Sequence, residues 1–428
     1  MKKNVFLIGL NLYSAFLALK IRSKYSFDNI FIVEASSNFI NAYKKIKIKK
    51  YTLNPGFHAL EDIRSKKLIN IFSNEITFKK ILKTRGLLIG KNLISQQDNY
   101  DNWPKNILDK FKIKKRKVIL NPLKNINYLN KNYLRYLTDN FFGKDNNIRY
   151  TINSTYPWFF PNNYDILSKD EAAKFNSKVR QKKIRHAFVF PKKGHFSEIS
   201  NSLKTILKKN NINVILNKPV EFYKKRGKVF FSGYKNLENS EDKKIICIPV
   251  KPLSDSIKKN SSSPKLKPIK YFTGLVEIKN FIKSDFDKFC EIIVSSEFAF
   301  GLTRISQYSD VFGIKNKKIY QIEFIEHPME SNIDNQIENI ILLMSNFISF
   351  KNKKKNQNIK LIGYSWVRNI FRPNRKYIDK LTSETIRYFK NKDNIIFPRQ
   401  ITWPINSNKH LLYAEEDFKK KIRKFLND

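Results

Sequence analysis

Residues 4–34, NVFLIGLNLYSAFLALKIRSKYSFDNIFIVE, constrain this chain more than any other stretch. Asn4–Ile8 is a short apolar run ended by Gly9, and Ser14–Ile21 carries small and apolar residues at helical spacing. A second apolar run, Ile30–Val33, ends in Glu34. Strand, glycine turn, helix, strand and acid is the order of a βαβ unit. The same letters resemble a secretion signal, because two lysines precede an apolar run. That reading fails: no small-residue cleavage site follows, and the continuation completes the βαβ unit.

A dinucleotide-binding turn needs three glycines, for the tight turn, for approach of the pyrophosphate and for packing of helix on strand. Here those positions hold Gly9, Asn11 and Ser14. Asn is the non-glycine residue that best tolerates a left-handed backbone, and Ser is small enough for close packing. The helix amino-terminus can present N–H groups to phosphate. Glu34 stands at the position that accepts hydrogen bonds from a ribose. An ordinary βα turn with an internally satisfied acid fits the same letters, and both readings stand at this point.

At 428 residues the chain has room for two domains or one interleaved pair. Hydrophobic residues at 41% and aromatics at 14% exclude wholesale disorder. No apolar run is long enough for a membrane-spanning helix. Cys247 and Cys290, the only cysteines, are too few for a disulfide framework and point to a reducing cytoplasm. The formal charge of +46 invites a nucleic-acid partner. Lys, Asn, Ile and Phe are inflated together, however, which reads as a bias spread over the surface. The runs 44–50, 112–117 and 351–355 therefore read as solvated loops or helix faces, with no dedicated nucleic-acid role and a general attraction to anionic surfaces.

Further on, 96–111 is polar and TINSTYPWFFPNN (151–163) reads as a loop or cavity wall. Strands are predicted at 188–190, 213–216, 220–223, 228–232 and 244–248, with a helix over 198–209. NSSSPKLKP (260–268) is the clearest linker. Strands at 269–278, 291–295 and 319–324 read as a second sheet. Helices are expected over 333–350, 376–390 and 414–426, and a strand at 394–397. His186, His195, His327 and His410 lack metal-ligand spacing, so no metal is expected.

FVFPKKGHFSEISNSLKTILKKNNINVILNKPVEFYKKRGKVFF resembles the middle of the FAD-dependent amine oxidase superfamily, in its protoporphyrinogen-oxidase-like and UDP-galactopyranose-mutase-like branch. NPGFHALE (54–61) resembles the segment beside the flavin ring, and TRISQYSD (303–310) with YQIE (320–323) resembles a substrate-domain segment. RQITWPINSNKHLLYAEE (399–416) resembles the carboxy-terminal region that closes on the flavin. These pieces fall in family order along nearly the whole chain.

The resemblance implies an α/β fold, in which a Rossmann-type FAD-binding domain is interleaved with an α+β substrate domain carrying a second, mixed sheet. The FAD-binding domain would comprise 1–90, 188–260 and 393–428, and the substrate domain 91–187 and 261–392. Gly9, Asn11 and Ser14 would face the pyrophosphate of FAD, Glu34 the ribose and Val220 the adenine. Gly56, Phe57 and His58 would approach the flavin ring, with Trp403 and Asn406 near its pocket. Arg304 and Arg399 would suit an anionic substrate or a phosphate, and Tyr156 and Trp158 would line a substrate cavity. His58 and Arg304 are the candidates nearest the chemistry; alternatively His58 is a packed histidine and Arg304 an interdomain ion-pair partner. Tyr156 and Trp158 equally suit plain core packing.

Two of three motif glycines are replaced, and Glu415-Glu416 place acid where the family has a glycine near the phosphates. The expected function is a cytoplasmic FAD-dependent oxidoreductase acting on a small molecule, plausible in surface-polysaccharide metabolism. Two alternatives stay open: a mutase-like flavoenzyme acting on a nucleotide sugar, and a non-catalytic flavin-fold binding protein.

Overall fold

A computed structural model describes residues 4–27, 29–40, 43–56, 59–89, 92–95, 111–114, 117–120, 188–225, 228–232, 234, 237, 241–248, 269–295, 301–326, 332–351, 358–370, 383, 387, 394–398 and 407–427. Its amino-terminal unit is β1 (Asn4–Ile8), α1 (Leu12–Arg22) and β2 (Asn29–Val33). Val5, Phe6, Leu7 and Ile8 are all buried, as an uninterrupted apolar run must be in a parallel strand covered on both faces. α1 is buried nearly all round, from Leu12 to Ile21, because a second helix, Ser407–Asp417, covers the side turned away from the sheet. The Tyr13 hydroxyl donates to Asp417 Oδ2 across that contact at 3.0 Å.

β1 pairs in parallel with β2 on one side and with Lys243–Ile246 on the other. Ile212–Ile215 extends the sheet beyond β2, and Ile395–Ile396 beyond Lys243–Ile246, both in parallel. Numbered in chain order, the five strands lie 3-2-1-4-5, so the order reverses between β1 and Lys243–Ile246. In a doubly wound sheet the ligand crevice opens outside the carboxyl ends of the strands at that reversal.

The second sheet has seven strands, in the spatial order Ile359–Ile370, Ile269–Ile278, Lys318–Ile325, Leu302–Gln307, Phe289–Ser295, Thr84–Ile89 and Asn92–Ser95. It is mixed, because Phe289–Ser295 runs parallel to Thr84–Ile89 while the other pairings are antiparallel. Helix Ile333–Ser345 covers one face, packing Ile337, Ile340 and Met344 against Phe272, Val276 and Phe324. Thr84–Ile89 joins this sheet although it lies within the 1–90 stretch assigned from sequence to the cofactor domain.

Several expected elements take a different form. The helix expected over 333–350 stops at Ser345, and Ile348–Phe350 becomes a strand paired with Phe281–Ser284. Phe188–Pro191 is a strand, yet it pairs antiparallel with Leu60–Glu61 and Phe78–Ile81 in a small separate sheet. The basic stretch 44–50 contains strand Ile46–Ile48, which forms a hairpin with Tyr51–Leu53 and buries both isoleucines while Lys47 faces out. The stretch 112–117 likewise spans an antiparallel pair, Phe111–Lys114 with Lys117–Leu120. The last helix begins at Ser407, not near 414, and passes through a π-helical turn, Phe418–Ile422, before Arg423–Asn427. Of the helix expected over 376–390, only Ser383 and Arg387 are described, both helical; the linker at 260–268 and the segment 151–163 lie outside the described residues. No helix among the described residues is long and apolar enough to cross a membrane.

Candidate functional site

Gly9, Asn11, Ser14, Glu34 and Val220 converge at the carboxyl end of the parallel sheet. Gly9 donates its N–H to Val33 O at 2.8 Å and has φ of +100°. A Cβ there would lie 3.0 Å from Ile248 Cγ1 and 3.2 Å from the carbonyl carbon of Cys247, so the turn requires glycine twice over. Glu34 accepts the N–H of Leu10 on Oε2 at 2.7 Å and that of Ser36 on Oε1 at 2.9 Å. The backbone N–H of Lys218 donates to Glu34 O at 2.9 Å, which brings the 218–220 stretch alongside. Val220 packs against the cluster that holds Phe6, Val33 and Leu237.

Asn11 takes a role other than the one expected of it. Its backbone is extended (φ −154°, ψ 176°), not left-handed, because it is the N-cap of α1. Its Oδ1 accepts from Ser14 N at 3.0 Å, while Ser14 Oγ accepts from Asn11 N at 3.0 Å, completing a capping box. The Asn11 carboxamide Nδ2 donates to Cys247 O at 2.8 Å. Glu415 and Glu416 sit in the last turns of their helix, ion-paired with Lys67 and Lys420, so they do not crowd a helix amino-terminus as their sequence position suggests.

A second candidate region lies where segment 54–56 meets the seven-stranded sheet. Buried Asn54 fixes this segment. Its Nδ2 donates to Gly194 O at 3.0 Å, its Oδ1 accepts from Phe196 N at 3.0 Å, and its carbonyl accepts from Gln321 Nε2 at 3.1 Å. Gly56 has φ of +114°, and a Cβ there would stand 3.6 Å from Glu323 Oε2 and 3.8 Å from the Tyr271 hydroxyl. Beside it, a narrow crevice is lined by Asn54, Gly56, Phe190, Tyr308, Phe312 and Gln321.

On the sheet face beside Gly56 a polar row crosses five adjacent strands: Tyr271, Glu323, Arg304, Glu291 and Arg85. The Tyr271 hydroxyl donates to Glu323 Oε2. Arg304 Nη1 lies 3.5 Å from Glu323 Oε2 and its Nε 3.3 Å from Glu291 Oε2, while Arg85 pairs with Glu291. Both carboxylates are almost fully buried. Burial alone would lower the Arg304 pKa, but Glu323 and Glu291 together hold it above the ordinary guanidinium value. Arg304 is thus an ion-pair partner within one sheet, not between domains, and its charge is balanced by its neighbours.

Phe57, His58, Tyr156, Trp158, Arg399, Trp403 and Asn406 lie outside the described residues. The reading of sequence missed Glu291, Arg85 and Tyr271. Their signal was present: each charge of the row stands nearly alone in an apolar strand, as in CEIIV and YQIEFI.

The residues present suit FAD at two of three points. Glu34 is held rigid by two N–H groups with lone pairs to spare for a ribose. Gly56 carries no Cβ to stand against a planar ring, and the groups facing that side of it are Glu323 Oε2 and the Tyr271 hydroxyl. At the third point the Asn11 side chain covers the amino end of α1.

No family model matches the sequence, and no curated protein matches it. Solved structures do. Reduced UDP-galactopyranose mutase superposes with a TM-score of 0.59 at 11% identity, over 98% of this chain and 95% of that one. A protein assigned as a protoporphyrinogen oxidase from Exiguobacterium sp. 255-15 gives 0.56 at 12% identity, over 100% of both chains. Wild-type putrescine oxidase bound to putrescine gives 0.53 at 11% identity, also over 100% of both. At these identities the likeness is one of fold.

Proposed function

Starting from a chain with the fold of the FAD-dependent amine oxidase superfamily, we propose that it is an FAD-dependent oxidoreductase of a small-molecule substrate, with surface-polysaccharide metabolism as its setting. The observation that carries this reading is the position of Glu34, fixed by Leu10 and Ser36 at the end of β2, one strand from the strand-order reversal. In this reading Glu34 accepts the hydroxyls of the adenosine ribose, Val220 packs beside the adenine and Gly56 faces the ring. FAD, when bound, supplies a ring that accepts a hydride from the substrate. The polar row opposite Gly56 orients the substrate: Glu323, held by Tyr271 and Arg304, presents a buried carboxylate beside the ring position. Arg304 does not serve as an anion clamp here, because two carboxylates flank it. A mutase-like role in which Arg304 grips a diphosphate therefore has less support.

The capped turn favours a second reading, a non-catalytic flavin-fold protein with a decayed cofactor site that serves as a binding or scaffold partner. One experiment separates the two. The purified protein is scanned for visible flavin absorption, denatured to release any flavin, and melted with and without added FAD. Bound flavin, or a rise in melting temperature with FAD, supports the enzyme; the absence of both overturns it. With flavin present, oxygen uptake on candidate amines and porphyrinogens is compared with turnover of nucleotide sugars after reduction.

A further inference from the structure

One side chain bridges the two strand ends at the strand-order reversal. Asn11 follows β1, and Cys247 follows strand Lys243–Ile246; these are the two strands between which the order reverses. The Asn11 carboxamide bridges them, with Nδ2 on Cys247 O at 2.8 Å and Oδ1 on Ser14 N at 3.0 Å. A dinucleotide-binding glycine at this position would have no such side chain, and the crevice would be open. Around the turn, the N–H groups of Gly9, Leu10, Asn11, Ser14, Ala15 and Ser36 are all bonded within the protein. These six groups are therefore satisfied within the protein.

We infer that Asn11 is a displaceable latch: its side chain closes the crevice in the free protein and has to rotate away before a diphosphate reaches the amino end of α1. The inference rests on the FAD-binding reading for the identity of the ligand. Both latch contacts are neutral hydrogen bonds, each modest in net worth. Breaking them lowers diphosphate affinity by about tenfold without abolishing it. The rest of the turn stays in place on rotation, because Glu34 holds Leu10 and β2 holds Gly9. The latch acts on the diphosphate and not on the ring, since its contacts lie at the α1 end of the site and Gly56 at the other.

The test compares binding of ADP, riboflavin and FAD by calorimetry to the wild-type protein, Asn11→Gly and Asn11→Asp. Glycine is nearly as good an N-cap as Asn, so Asn11→Gly keeps the fold, which its melting curve verifies. Asn11→Asp keeps the cap and adds charge beside Glu34. The expected result is ADP binding about tenfold tighter to Asn11→Gly and weaker to Asn11→Asp, with riboflavin unchanged. Equal ADP affinity across the three proteins overturns the latch, as does an equal gain for riboflavin. If FAD binds the wild type while ADP affinity ignores position 11, the latch falls and the FAD reading stands. If ADP tightens in Asn11→Gly but none of the three binds FAD, the FAD reading falls and the latch stands.

Discussion

Glu34 Oε2 accepts the backbone N–H of Leu10 at 2.7 Å, tying the end of β2 to the turn after β1. One carboxylate thus shapes the glycine turn and presents its remaining lone pairs at the mouth of the parallel sheet. Replacing Glu34 by Ala leaves the Leu10 and Ser36 N–H groups without their acceptor. The expected result is a loss of about 1–3 kcal/mol in urea denaturation, together with at least a tenfold loss of FAD affinity. Stability lost with FAD affinity intact would remove Glu34 from the ribose role.

Arg304 is predicted to matter first for folding. With Glu323 and Glu291 buried on either side of it, Arg304→Met removes the cation between two carboxylates, leaving Glu291 with Arg85 and Glu323 with the Tyr271 hydroxyl, and costs about 3 kcal/mol. Adding Glu323→Gln to that variant should recover part of the loss, and denaturation of the two single variants and the double gives the coupling directly. Strictly additive losses would show that the two side chains do not interact.

Asn54 is predicted to position Gly56. Asn54→Ala removes the side-chain contacts to Gly194 O and Phe196 N, lowering stability by about 2 kcal/mol. Riboflavin binding should weaken more than ADP binding, because the proposed function assigns the segment it releases to the ring end of the site. Equal losses for both ligands would mean a general structural effect.

Acid should destabilise the protein in a defined window. Burial, with Lys45 adding a lesser effect, depresses the His195 pKa from 6.5 to about 4. Burial does the same for His410, again to about 4. The unfolded chain takes up these protons near pH 6.5 and the folded protein only near pH 4, so stability falls as pH drops through that interval. Urea midpoints measured from pH 7 to 4 test this, and His410→Gln should flatten part of the slope. Burial also lowers the Lys244 pKa from 10.5 to about 8. The unfolded chain therefore holds a proton between those values that the folded protein has released, and stability contributed by Lys244 rises with pH there. Lys244→Met should remove that rise.

Periodicity made the amino-terminal unit and the helix at 197–209 legible, because α1, β1, β2 and Ser197–Lys209 follow from local apolar spacing. Local spacing misled at 333–350, where ILLMSNFISF stays apolar through a helix end and into a strand. Nothing within the segment announces that Ile348–Phe350 has a partner at 281–284. The hairpin at 46–53 was hidden in a similar way, its alternating isoleucines obscured by the lysines around them.

The site shows the same division. That Gly9, Asn11, Ser14 and Glu34 belong to one turn follows from sequence, since they lie within one βαβ unit. What Asn11 and Arg304 do there does not. Asn11 meets Cys247, 236 positions away, and Arg304 meets acids on the strands either side of its own. A side chain's propensity and a motif's spacing are local quantities, set by neighbours a few residues off. Whether a carboxamide caps a helix or yields to a phosphate, and whether a guanidinium is balanced or open to an anion, depends on groups that only strand order and register bring within hydrogen-bonding distance.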